Sequence, residues 1–131
     1  MTAVASSEIL ARFILQARHL RQDQTVRPDA FIPHPYPDLS LTRHGELTGA
    51  ALWKVGEEIA DAISKRLHGR ADVRTRVFER ERLVVRLAPT RGNPNHVNVQ
   101  GWPPGKPAQK IIAQVISAAA GRAILPPVSQ P

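Results

Sequence analysis

Proline limits this chain more than any other residue. Each of its 12 prolines fixes its own backbone, removes a hydrogen-bond donor and pushes the residue before it towards extended geometry. Pro28, Pro33, Pro35 and Pro37 crowd into one stretch, and the other eight fall between positions 89 and 107 or near the C-terminal end. Regular elements are therefore expected between these points. The segment Arg27 to Pro37 reads as an extended arm lying on the body, with Phe31, Ile32 and Tyr36 as anchors. A flexible linker rarely carries three large apolar residues in so short a span.

Ser6 or Ser7 can cap an opening helix whose positive end Glu8 complements. Leu10, Phe13, Ile14, Ala17 and Leu20 follow at helical spacing, to an end near Arg21. Asp38 to His44 alternates Leu39 and Leu41 against Ser40 and Thr42, the pattern of a half-buried strand, and Gly45 breaks it. Thr48 then caps a long helix over about Gly49 to Leu67, with Leu52, Val55, Ile59 and Ile63 on one face and Glu57, Glu58, Asp61 and Lys65 opposite. Gly69 suits its C-terminal cap. From Ala71 to Arg80, strand and irregular loop both fit. Strands are expected again at Arg82 to Ala88 and His96 to Gln100. A last helix opens at Pro107, carries a continuous apolar stripe of Ala108, Ile111, Ile112, Val115, Ile116 and Ala119, and stops at Gly121.

These elements predict an α+β fold: a small antiparallel or mixed sheet of three to four strands packed on one face by about three helices. Residues 1–122 form a single compact α+β domain, and 123–131 an extended Pro-rich tail, mobile because little holds it. A chain of 131 residues is long enough to bury a core without covalent staples. The face of the sheet left open by helices would show Ser40, Thr42, Asn98 and Gln100.

Charge is distributed unevenly. Met1 to Glu81 carries 12 basic and 11 acidic residues, whereas Arg82 to Pro131 carries 6 basic residues and no acidic one. Almost all of the formal net charge of +7 therefore belongs to the final stretch, which attracts anions. Arginine supplies 14 of the 18 cations, a planar fork suited to phosphate and carboxylate. Aromatic residues are only 5% of the chain, too few for the stacking platforms of a single-strand binder.

The absence of cysteine excludes disulfides, thiolate metal sites and cysteine nucleophiles. No phosphate-cradling loop, dinucleotide fingerprint or serine-hydrolase elbow is present. The five histidines stand singly, so no metal is expected, and no cofactor either. No stretch is long and apolar enough for a membrane span, and Met1 to Ser7 lacks the basic start of a secretory signal. The expected setting is cytoplasmic, with no membrane partner; the oligomeric state is open.

Two constellations stand out. Arg43-His44-Gly45-Glu46 resembles the signature of the histidine phosphatase and phosphoglycerate mutase superfamily. That resemblance implies a phosphate-gripping Arg43 and a nucleophilic His44 at the end of a strand. The chain departs from the family pattern in having 43 residues before His44, and in lacking a second His beside a Gly after an apolar strand. In the second constellation, Asn93 to Pro103, a strand would align His96, Asn98 and Gln100 on one face, a row of hydrogen-bonding groups.

More widely, five stretches together resemble a family of small uncharacterised bacterial proteins: Ile9 to Ile14, Val26 to Phe31, Leu39 to Arg43, Leu67 to Val73 and Asn95 to Pro103. That resemblance covers about residues 8 to 120 and implies no reaction. The functional expectation is a binding module rather than an enzyme. It would meet an acidic protein or nucleic acid through Arg70, Arg82, Arg86, Arg91, His96, Asn98, Lys106 and Lys110. The alternative is a small phosphate-ester-binding enzyme using Arg43 and His44.

Overall fold

A computed structural model gives the fold and describes residues 3–128. Its first correction concerns the opening helix: Ile9–Ile14 is a strand, β1. Leu10 and Ile14 are buried against one core, and Ala11 and Phe13 against another. A strand covered on both sides reads as a nearly unbroken apolar run, which periodicity cannot tell from a buried helix.

The chain then forms 3₁₀ turns at Ala17–His19 and Pro28–Phe31, followed by β2 (Leu39–Arg43), α1 (Gly49–Ala62), β3 (Gly69–Arg74), α2 (Thr75–Arg80), β4 (Val84–Leu87), β5 (His96–Gln100) and α3 (Lys106–Ala120). The sheet has five strands in the order β3-β1-β2-β5-β4, and every neighbouring pair is antiparallel. The fold is α+β, with more strands than expected because β1 and β3 join the three read from sequence. The stretch left open between strand and loop is β3 followed directly by α2.

Helices cover both faces, not one. Ala113 and Ile116 of α3 share the larger core with Leu10, Ile14, Leu41, Val97 and Phe31. On the opposite face Leu52 of α1 packs on Ala11 and Phe13. The approach is close: a Cβ on Gly56 would stand 2.6 Å from the Phe13 ring. The same face carries Ser40, Thr42, Asn98 and Arg86 on β2, β5 and β4, and of these Thr42 is not open but buried, its Oγ1 accepting from Asn93 Nδ2 at 2.9 Å.

α1 starts where expected, with Thr48 Oγ1 accepting from Ala51 N at 3.1 Å. It ends at Ala62, earlier than Leu67, because Ser64 takes the left-handed conformation (φ 54) and Lys65 N closes on Ala60 O. Gly69 is not its cap. It begins β3, where a Cβ would stand 2.9 Å from Ile124 O.

The proline arm belongs to its own body. Ala30, Phe31 and Ile32 are buried in the larger core, and Gln109 of α3 accepts from His34 N at 3.2 Å. Tyr36 is not an anchor, being 72% exposed. Part of the expected tail is docked as well. Ala123 N donates to Gln24 O, and Ile124 exchanges two 2.9 Å hydrogen bonds with Arg70 on the outer edge of β3. The expected mobility of the last residues, 129–131, lies outside the described residues.

Candidate functional site

The Arg43-His44-Gly45-Glu46 string sits where β2 leaves the sheet, and Gly45 takes φ +53 as the chain turns towards α1. Successive strand residues point to opposite faces, and this separates the two candidate groups. Arg43 donates through Nε (2.8 Å) and Nη2 (3.0 Å) to the two Glu8 carboxylate oxygens. Burial pushes the Glu8 carboxyl up, but the Arg43 contact, with a hydrogen bond from Ala5 N, outweighs it and holds the group below its usual range. The Arg43 fork is thus already occupied by a carboxylate.

His44 faces the other way. Its Nε2 lies 3.0 Å from Asp72 Oδ1, and Arg70 Nε lies 3.1 Å from the same oxygen. Arg70 in turn places its guanidinium carbon 4.7 Å above the buried Trp53 ring of α1. Burial raises the Asp72 carboxyl, and the hydrogen bonds from His44 and Arg70 more than reverse this, so it is held low. An ionised carboxylate only accepts, so Nε2 of His44 carries the hydrogen and Nδ1 is left over. Asp72, Ala11, Thr42 and His96 form one row across four strands. His96 therefore sits two strands away from Ala11, and its Nδ1 donates to Ala88 O at 2.8 Å. Arg43, His44, Arg70 and His96 do not converge: His44 and Arg70 meet at Asp72, Arg43 is held by Glu8, and His96 closes the end of β5.

The other sequence candidates lie towards the far side. Arg86 of β4 pairs with Asn98 of β5 and donates to Gln100 Oε1 at 3.1 Å. Arg82 occupies the turn before β4, Arg91 the loop between β4 and β5, and Lys106 and Lys110 successive turns of α3. All five cations are exposed. Among the described residues the three ion pairs are Arg43–Glu8, His44–Asp72 and Arg70–Asp72, and none uses a cation from Arg82 onward. Arg70, on the opposite edge strand, is separate from this group.

A cleft of about 660 Å³ opens between the proline arm and the end of the sheet. Asn98 and Lys106 line it, and so do Arg12, Arg18, His19 and His34. Arg12 is there because β1 and β2 separate after pairing at Leu10↔Arg43 and Ala11↔Thr42. The Ser40 carbonyl, on the β2 edge facing β1, takes Arg12 Nη1 (2.9 Å) in place of a strand donor, while Arg12 Nε donates to Ala30 O (2.9 Å). Burial alone lowers the Arg12 guanidinium to about 10, so it stays cationic at neutral pH. No carboxylate lies within ion-pair distance of it among the described residues. His19 is also held low, first by burial and then by Arg18 and Arg12, against an opposing pull from Asp29.

The helical reading of this stretch hides Arg12, because it falls outside the stripe of Leu10, Phe13, Ile14, Ala17 and Leu20. In a strand the same residue falls on the face of Leu10 and Ile14, and a lone Arg within Ile9 to Ile14 is the signal that could have found it. Among the described residues no three His, Cys, Asp or Glu side chains cluster as a metal would require, and no helix is long and apolar enough to cross a membrane. Compared with known protein families, curated proteins and solved structures, the chain matches none of them.

Proposed function

We propose that this protein is a non-enzymatic binding module that meets an acidic partner through cations of its C-terminal half. The observation that carries this reading is the missing counter-charge. Arg82, Arg86, Arg91, Lys106 and Lys110 are exposed, and from Arg82 onward the chain supplies six basic residues and no acidic one to balance them. Free guanidinium and ammonium groups raise the local anion concentration and release counterions on binding. An acidic protein fits better than a single-stranded nucleic acid. Trp53 is buried under Arg70, Trp102 is partly buried against the larger core, and the three Phe are buried, which leaves Tyr36 as a single well-exposed ring rather than a series of platforms for base stacking.

The test uses poly-glutamate, duplex DNA and single-stranded DNA, each titrated at low and at physiological salt. Poly-glutamate binding that falls steeply with salt is the expected result. Tighter binding of duplex DNA would move the reading to nucleic acid. Absence of binding to all three at low salt would end it.

A second reading, a small phosphate-ester-binding enzyme, is favoured by one observation: Asp72 holds the His44 imidazole by Nε2, leaving Nδ1 for chemistry. Its nearby cation is Arg70, since Arg43 is occupied by Glu8. Turnover of a generic phosphomonoester by the wild type, lost in His44→Ala, supports it; a wild type without turnover removes it.

A further inference from the structure

A half-buried guanidinium with hydrogen bonds to carbonyls and no carboxylate is an unusual thing to leave in the wall of a cleft. A carbonyl oxygen satisfies hydrogen-bonding capacity but leaves the positive charge uncompensated. Arg12 has two such bonds, through Nε and Nη1. Its Nη2 has no partner among the described residues, yet no polar side-chain atom there is both sealed from solvent and unpaired. Nη2 therefore keeps contact with solvent, on a side chain that lines the cleft.

The surroundings add direction. Arg18 and Lys106 stand at the same cleft, exposed and without ion pairs among the described residues. The arm supplies an apolar wall of Ile32, Pro33, Pro35 and Tyr36, with the Tyr36 ring largely uncovered. Two carboxylates, Asp29 and Asp38, also line it, and Asp38 is engaged by Gln100 Nε2 at 3.2 Å. Their charge opposes a polyanion but tolerates a ligand with one anionic head.

We propose that this cleft is a site for a small organic anion, one whose single carboxylate or phosphate is held by the open edge of Arg12 and whose apolar body lies on the proline arm. Arg18 and Lys106 flank the head, and the planar fork of Arg12 supplies the directed hydrogen bonds that a lone ammonium does not. This site shares Lys106 with the basic surface proposed above, but its central cation, Arg12, lies in the amino-terminal half and is half-buried.

The test titrates the protein with benzoate, phenyl phosphate and inorganic phosphate, following the Arg12 side-chain Nε–H and backbone amide resonances by NMR. Saturable shifts of the Arg12 Nε–H and of amides at Ile32, His34 and Ser40 are expected with benzoate or phenyl phosphate, and which of the two binds tighter identifies the head group. Inorganic phosphate should bind more weakly than phenyl phosphate, since it lacks the apolar body. Arg18→Ala and Lys106→Ala should each weaken binding about fivefold, the scale of a partly exposed charge contact. Both alter exposed side chains, so failure to fold does not blur the result. Lys54→Ala, on the exposed side of α1, should leave affinity unchanged. Three outcomes overturn the proposal: no saturable shift with either organic anion, shifts that miss the Arg12 Nε–H, or affinity insensitive to both Arg18→Ala and Lys106→Ala.

Discussion

At the β3 edge of the sheet Asp72 takes both the His44 imidazole and the Arg70 guanidinium, whereas at the β4 edge Arg86 reaches only the Gln100 amide. The two edges are built from the same arginine-rich composition and use it differently. Near β3 the acids of the first 81 residues lie among the cations, and the pairs tie β1, β2, β3 and α1 together. Near β4 the acid-free final stretch has no partner to offer, so its cations face solvent. A charge that already holds a buried partner serves the fold, and moving it costs stability. A charge without one contributes little to the fold and is free to meet something else.

The sharpest way to break this comparison is Asp72→Ala. It leaves Arg70, whose side chain is only 11% exposed, without its carboxylate, and His44 without its acceptor. Because the cluster is partly open to solvent, we expect a loss of about 2–3 kcal/mol, below the full cost of breaking a sealed pair. Urea unfolding measures it. A loss under about 0.5 kcal/mol, the range of an ordinary surface change, would mean that the β3 edge is no more structural than the β4 edge.

Glu8→Gln is the next smaller effect. Glu8 holds Arg43 by two bonds and Ala5 N by a third, with about a quarter of its side chain exposed, at 23%. A loss of about 1 kcal/mol is expected at neutral pH. The pH dependence has a definite sign. The folded-state carboxyl is held below its ordinary 4.5, so the unfolded chain binds the proton more readily. The contribution is present above that value and is lost as pH falls through the folded-state value. Asp72, held below its ordinary 3.8, contributes with the same sign. Glu8→Gln should therefore flatten the acid limb of the stability curve, and an unchanged limb would show that its ion pair is not what titrates.

How far the sequence disclosed this arrangement depended on how many faces of an element are buried. β2 and β5 were legible because Leu39 and Leu41, and Val97 and Val99, alternate against polar neighbours. The start of α1 at Thr48 and the end of α3 at Gly121 were legible because caps are local chemistry. β1 was not, since burial on both sides erased the alternation, and with it went the strand count and the position of Arg12. The early end of α1 at Ser64 was also hidden, because a non-glycine residue took the left-handed conformation while Gly69 served close packing instead. The excess charge of the last 50 residues was plain in the sequence. That Arg43 and His44 face opposite ways already followed from the strand reading of Asp38 to His44; which partners they meet became visible only once β1 and β3 brought Glu8 and Asp72 to them.

The smallest stability effect is the most informative about use. Arg86→Ala removes a guanidinium that holds only an amide on an exposed face, so the unfolding free energy should shift by no more than about 0.5 kcal/mol. If the β4 edge serves an acidic partner, the same change should weaken poly-glutamate binding at low salt and reduce its salt sensitivity by about one charge. Arg91→Ala should behave alike, since its loop position likewise carries no ion pair among the described residues. A variant that keeps full stability and loses binding separates the two edges cleanly: one set of cations is bound up in the fold, the other is held ready outside it. A variant that loses stability instead would show that Arg86 and Gln100 stiffen the β4–β5 pair, and the contrast between the edges would then be one of degree.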